Sequence, residues 1–336
     1  FTATKMQETI AGNLPLLWDI PSIDGFDGGV LPTIHYSAFT SLLLPDGTLR
    51  TIDGRLREIL AQPACRGACL PDDRWLNLTN MRYLLLDKVY DRVYEGIFYD
   101  TALSIPLEAG EAYTLTQTFG FTSNRVDLLI RGDCTDSACA VPDVRFNEDD
   151  TLTLIDRIML PDDNLTRLRY STDAVTTPQT LTFRNGDSPT TIQAVTLVDE
   201  RVDLFLQLAP NGWERVYSAD VKIFENLDVF PRAFMVYDAI SLPDTWDGTE
   251  SALEVMSAQN FDPAQTITLN TSEQFEFGAT NSASQVTIDE YASTRITLNV
   301  NTESAGMLLL TDAYYPGWQA TVNGADVEVY RANVMF

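Results

Sequence analysis

The 336-residue chain is 45% hydrophobic and 21% charged, a balance of soluble globular proteins that excludes a disordered polymer and is long enough for two or three cores. Forty-eight acidic against 22 basic residues give a net charge of −26, which repels phosphate backbones and anionic headgroups and makes nucleic acid a poor partner. Its apolar runs, such as Met307-Leu308-Leu309-Leu310, fall far short of the ~18 residues of a membrane span.

The chain opens at Phe1 with no charged-then-apolar leader, as expected of a piece of a larger protein. Residues 1–93 are mixed α/β. "LPTIHYSAFTSLLL" (31–44) and "DGRLREILAQ" (53–62) read as short helices, the second with Leu56, Ile59 and Leu60 on one face and Asp53 as N-cap. "MRYLLLD" (81–87) reads as a short buried strand. Residues 94–217 read as short strands between turns, namely 112–119, 125–132, 151–160, 179–187 and 201–209, with "RNGD" as a type I′ hairpin turn. This block is expected to be one β-sandwich with a jelly-roll or galactose-binding-like, carbohydrate-binding character.

Residues 218–262 supply two strands around a turn, "DVKIFENLDVFPRAFMVYDA", and then a helix over 245–260 with Leu253 and Met256 on its apolar face and Asn260 as its end signal. Residues 263–336 read as an Ig-like C-terminal sandwich. Val286/Ile288 and Ile296/Leu298/Val300 alternate with polar residues. "GMLLLTDAYY" reads as a buried strand turned by Pro316-Gly317, "WQATV" returns, and Asn323-Gly324 makes a hairpin with "DVEVYRA". The expected fold is therefore mainly β with minor α: two β-sandwich domains plus a small α/β N-terminal segment.

The four cysteines fall into two local pairs, Cys65/Cys69 and Cys134/Cys139. Gly67 lets the first loop fold tightly enough for bridging, and two local disulfides are expected, which places the chain outside the cytoplasm. A four-thiolate zinc site would lack its usual CxxC spacing. Four cysteines allow three pairings, and the pattern selects none.

No catalytic constellation stands out. His35 is the only histidine, set between Ile34 and Tyr36, so any triad or multi-histidine metal site would depend on it; a structural role is expected. Glycoside hydrolysis needs two facing carboxylates, and no spacing selects a pair. "DGFDGG" (24–29) and "NEDD" (147–150) offer oxygens to a structural Ca²⁺ without EF-hand spacing, and turn chemistry accounts for both; no other cofactor or metal site is expected. Tyr315 and Trp318, in "DAYYPGW", and Trp213, after a Pro-Asn-Gly turn, are the candidate sugar-stacking rings. Adjacent Tyr314 and Tyr315 in a strand would face opposite ways, so the C-terminal trio is expected mainly as the packed corner of a sandwich.

"LLLTDAYYPGWQATVNGADVEVYRANVMF" resembles the C-terminal extracytoplasmic region of the YfhO-type bacterial membrane proteins. "NLPLLWDIPSIDGFDGGVLP" (13–32), "LNLTNMRYLLLD" (76–87) and "VKIFENLDVFPRAFMV" (221–236) support the match, while 94–217 resembles the family only in style. The resemblance implies a polytopic, GT-C-like glycosyltransferase parent that uses a lipid-linked sugar donor, with this region on the extracytoplasmic face of a bacterial membrane. The superfamily's catalytic acid lies in an early loop between membrane helices, so no catalytic residue carries over. In the family more strand follows "YRAN", so the last sandwich here is expected to expose an edge. The expected role is recognition or positioning of a cell-surface polysaccharide or lipid-linked acceptor for the parent's own membrane domain. The alternative is a stand-alone glycan-binding or cell-surface interaction module, and a stand-alone hydrolase is the remaining reading.

Overall fold

The structure, a computed structural model, describes residues 20–23, 33–44, 70–88, 91–117, 119–132, 141–147, 149–160, 164–277 and 283–336. The two expected disulfides are not shown: Cys65 and its expected partner Cys69, and likewise Cys134 and its expected partner Cys139, lie outside the described residues. The helix expected at 53–62 and "DGFDGG" lie outside them too. The protein is mainly β, built mostly from antiparallel sheets, with three helices among the described residues. It divides into two compact units, one comprising 1–62, 69–82 and 228–336, the other 63–68 and 83–227.

The second unit holds strands β1 (Tyr83–Asp87), β2 (Arg92–Tyr94), β3 (Ile97–Tyr99), β4 (Ile105–Leu107), β5 (Ala112–Leu115), β6 (Ser123–Arg131), β7 (Asp143–Phe146), β8 (Asp150–Thr151), β9 (Thr153–Leu160), β10 (Leu165–Thr176), β11 (Leu181–Arg184), β12 (Thr190–Asp199), β13 (Leu204–Leu208), β14 (Trp213–Ser218) and β15 (Val221–Asn226). One sheet runs β13-β12-β6-β10-β9, with β4 also on β12; a second runs β5-β11-β7-β8; a third runs β1-β15-β14. Leu107, Val126, Leu128, Ile130, Leu168 and Leu197 of the first sheet share one core with Leu115, Val144, Phe146, Leu181 and Phe183 of the second.

Strand β6 does not alternate in burial because both of its faces are covered. Its Leu129 joins Tyr99, Leu160, Leu165, Ala194 and Val198 in a separate cluster that includes Ile97 of the β2–β3 hairpin. Asp127, also on that side, is fully buried and met by two guanidinium groups and a phenol. Arg125 donates to both its oxygens (2.9 and 3.0 Å), Arg169 approaches at 3.2 Å, and the Tyr99 hydroxyl donates at 2.8 Å. Burial and the Asp127 charge push the Tyr99 phenol well above its ordinary range, so it stays a donor.

The expected "RNGD" hairpin is not present. The strands either side of it, β11 and β12, belong to different sheets, so the chain crosses between layers there. Asn185 is buried at the crossing, where its Nδ2 donates to the carbonyls of Leu107 (3.1 Å), Glu108 (3.0 Å) and Ser188 (2.7 Å). A side chain held this way supplies a corner rather than a two-residue reversal.

In the first unit, helix α1 (Ile34–Thr40) starts at Thr33, whose hydroxyl accepts from the Tyr36 N–H, and helix α2 (Asp73–Leu78) is capped by Asp72. Phe39 packs edge-on against Trp75 and Phe336, and Trp75 stacks on Phe261, giving this unit an aromatic core. Strand β16 (Ala233–Val236) precedes β17 (Ala239–Leu242), helix α3 (Trp246–Ser257) and β18 (Ile267–Asn270). β17 and β18 pair in parallel, with α3 as the crossover a parallel pair requires. Helix α3 buries Gly248, Thr249, Ala252 and Met256, and ends at Ser257 before Asn260. β15 and β16, expected as neighbours around a turn, pair elsewhere: β15 with β1 and β14, β16 with β21 (Met307–Leu310). β19 (Ser284–Ala292) and β20 (Arg295–Thr302) form a two-stranded ribbon. β22 (Ala320–Val322) and β23 (Ala325–Val327) form the Asn323-Gly324 hairpin, with φ of 52° and 83° at the two turn residues as a type I′ loop demands.

Candidate functional site

The segment that follows β21 carries two exposed aromatic residues of the first unit, Tyr315 and Trp318. It is anchored before it turns. Thr311 N–H and its hydroxyl both donate to the Arg232 carbonyl (2.9 and 3.1 Å), extending the β16–β21 pairing by one step. Asp312 then receives the Arg232 guanidinium at 2.6 Å and the Tyr291 hydroxyl at 2.8 and 2.9 Å. Arg232 also donates to that hydroxyl (2.7 Å) and lies 5.1 Å from the centre of the Tyr291 ring. Burial, then the hydrogen bond to Asp312, pushes the Tyr291 phenol above its ordinary range and keeps it protonated as a donor. Just past the clip, Tyr314 N–H donates to the Met335 carbonyl (2.7 Å) and ties the segment to the chain's last turn.

Beyond these anchors Tyr315-Pro316-Gly317-Trp318 forms a turn. Pro316 supplies the fixed φ of the second position, and Gly317 at φ 113° supplies the positive φ of the third. Trp318 N–H reaches back toward the Tyr315 carbonyl at 3.5 Å. The two rings therefore leave from the two ends of one tight turn, Tyr315 at 65% and Trp318 at 38% exposure, while Tyr314 is half-buried. The strand expected to run through Tyr315 stops at Leu310. Pro316 has no N–H to continue a ladder, and β21 already has its partner in β16. Loop geometry, not strand alternation, separates Tyr314 from Tyr315.

Trp213, the third candidate stacking ring, for which a structural role is the leading reading, is 2% exposed, in the other unit. Gly212, at φ 83°, turns the chain so that β14 begins with its indole inside, and Gln117 Nε2 donates to the Trp213 carbonyl (3.1 Å). This ring offers no open face for stacking. At "NEDD", the Asn147 side-chain oxygen accepts from the Gln179 and Thr180 N–H groups (2.8 and 3.4 Å), which is turn chemistry; Glu148 lies outside the described residues. Among the described residues no group of three or more His, Cys, Asp or Glu side chains is arranged to hold a metal ion. His35 faces Arg331, whose Nη1 donates to its Nε2 at 2.6 Å, and Arg331 also pairs with Asp244 at 2.7 Å.

Sequence reasoning missed Arg232, Tyr291 and Asp312 as a group, because they are far apart in the chain and no spacing links them. The only local hint was the aspartate opening "DAYYPGW".

No helix among the described residues is long and apolar enough to cross a membrane. Neither the curated proteins nor the solved structures gave a match. The profile of the family described as bacterial membrane protein YfhO matches residues 157–336, more than half of the chain, including β16, the Arg232–Tyr291–Asp312 clip and the aromatic turn. The chain belongs to the YfhO family of bacterial membrane proteins.

Proposed function

We propose that this chain is the extracytoplasmic region of a polytopic, GT-C-like membrane glycosyltransferase and that it positions a cell-surface polysaccharide or lipid-linked sugar acceptor for the parent's membrane-embedded domain. It contributes recognition rather than bond-making chemistry. The observation that supports this reading is the exposed Tyr315/Trp318 pair on a turn whose base is fixed by the Arg232–Asp312–Tyr291 clip. Sugar C–H faces stack on aromatic rings that keep one face open, and such rings bind best when their backbone is ordered in advance. The surplus of negative charge disfavours polyanionic ligands, so a neutral or zwitterionic glycan is the expected class.

A glycan array probed with the chain, with Tyr315→Ala and Trp318→Ala in parallel, tests this. Binding of neutral glycans that drops at least tenfold in both variants, each still folded by circular dichroism, supports the reading. Absence of binding to any glycan or lipid-linked sugar, or binding unchanged in both variants, removes it.

A further inference from the structure

A buried trio in the second unit is used by nothing described above. Lys222, the second residue of β15, is 1% exposed. Its Nζ lies 2.5 Å from Asp91 Oδ1 and 2.5 Å from Asp100 Oδ1, with the two carboxylate side chains 2% and 7% exposed. Asp91 stands just before β2 and Asp100 just after β3, so both ends of that hairpin converge on one amine.

The two carboxyls differ in their surroundings. Asp100 Oδ1 accepts from the Ala102 N–H (3.0 Å) and its Oδ2 faces the Arg215 guanidinium at 3.4 Å. Asp91 Oδ1 accepts from the Thr101 N–H (3.3 Å), but its Oδ2 is buried without a partner among the described residues. Burial, with Asp100 adding to it, pushes the Asp91 carboxyl above its ordinary range against the pull of Lys222. Two carboxyl groups and one amine, held together away from water, are the components of an amide condensation.

We propose that Lys222 and Asp91 join in an intramolecular isopeptide bond, with Asp100 handling the protons. The Lys222 ammonium gives one proton to the Asp100 carboxylate, and the neutral amine attacks Cγ of the protonated Asp91. The Thr101 N–H steadies the negative charge that develops on Oδ1. The protonated Asp100 returns its proton to the leaving Oδ2–H, which departs as water, and takes up the second proton of the nitrogen as the amide forms. The products are one amide N–H, one water and a protonated Asp100 that re-ionises to solvent, with no oxidant, reductant or activating group required. Holding the groups in contact replaces the activation such a condensation needs in solution. The bond clamps the start of the β2–β3 hairpin onto β15, a cross-link that thiol reductants leave intact.

Intact-mass spectrometry of the full chain, reduced and denatured, decides the matter together with peptide mapping. The expected result is a mass lower than the sequence mass by one water, no tryptic cleavage after Lys222, and a branched peptide containing Asp91 and Lys222. Lys222→Arg and Asp91→Ala restore the full sequence mass. Asp100→Asn keeps both joined partners and leaves most of the chain without the cross-link. A wild-type chain of full sequence mass that is cleaved after Lys222 overturns the proposal. So does a one-water deficit that persists in Lys222→Arg, which places the loss elsewhere, such as an imide at an Asp-Gly step.

Discussion

Gly248 shows how narrowly some positions are specified. It opens the first turn of α3 against the carbonyl of Pro243, and an added Cβ there would sit 1.9 Å from that oxygen. Backbone has to move to admit a methyl group, so Gly248→Ala is expected to cost about 1–3 kcal/mol, read as a lower urea midpoint at unchanged slope. His35 carries a different constraint. Its Nε2 accepts from Arg331, which requires the neutral ring, and its Nδ1 is buried without a partner among the described residues. Burial first, and the Arg331 charge second, hold its pKa below 6.5, with Asp244 opposing them. The unfolded chain therefore takes up this proton at a higher pH than the folded one. The contribution of His35 is complete above pH 6.5 and is lost as pH falls from there toward the lowered folded value. A denaturation series from about pH 7 to about pH 5 should show this slope, and His35→Gln should flatten it. The sequence marked His35 as structural because it stood alone. It did not mark Arg331 as its partner, nor Lys222 as buried, since both facts depend on contacts between residues more than a hundred positions apart.

Two Asn-Gly dipeptides separate what is local from what is not. Asn323-Gly324 lies between two short strands that pair with each other, so local chemistry settled the hairpin. Gly324→Ala puts a side chain at φ 83° and should destabilise the β22–β23 hairpin by about 1–2 kcal/mol, seen as faster amide exchange there than in the rest of its unit. Asn185-Gly186 has the same letters, yet its flanking strands find partners in separate sheets, so the dipeptide became a crossing. Asn185→Ala removes donors from three carbonyls and should cost about 1–3 kcal/mol. β10 and β12 flank β6 on its two sides, and neither was picked out beforehand. Arg167 and Arg169 interrupt the apolar pattern of β10, because the charges on that face are met by Glu95, Asp127 and Asp156 from other elements. Trp213 follows the same rule: the turn before it made it a candidate ring, while the strand after it carries the ring inward into a structural role.

At the scale of the whole molecule, the second unit, apart from residues 63–68, interrupts the first in sequence between Arg82 and Asp228. Its first and last strands, β1 and β15, are hydrogen-bonded neighbours with Tyr83 opposite Glu225, so it leaves where it enters. Within the first unit, Asn80 Nδ2 donates to the Phe230 carbonyl (2.5 Å) and Phe230 N–H donates to the Asn77 carbonyl (3.2 Å), which holds the two broken ends together. Joining Arg82 to Asp228 through a short Gly-Ser linker should therefore leave a first unit with its native spectrum, and residues 83–227 alone should unfold cooperatively. The sequence made the family visible through "DAYYPGW" and its neighbours, and it offered Tyr315 and Trp318 as candidate rings. It could not supply the Arg232–Tyr291–Asp312 clip that fixes their turn. The most direct test of the proposed role follows the indole N–H resonances in a two-dimensional NMR titration with a neutral envelope polysaccharide, the Trp318 signal being assigned by Trp318→Phe. The account predicts a saturable shift of the Trp318 indole with the buried Trp213 indole unmoved. A shift at Trp213 without one at Trp318, or no shift at either up to millimolar repeat units, would contradict it.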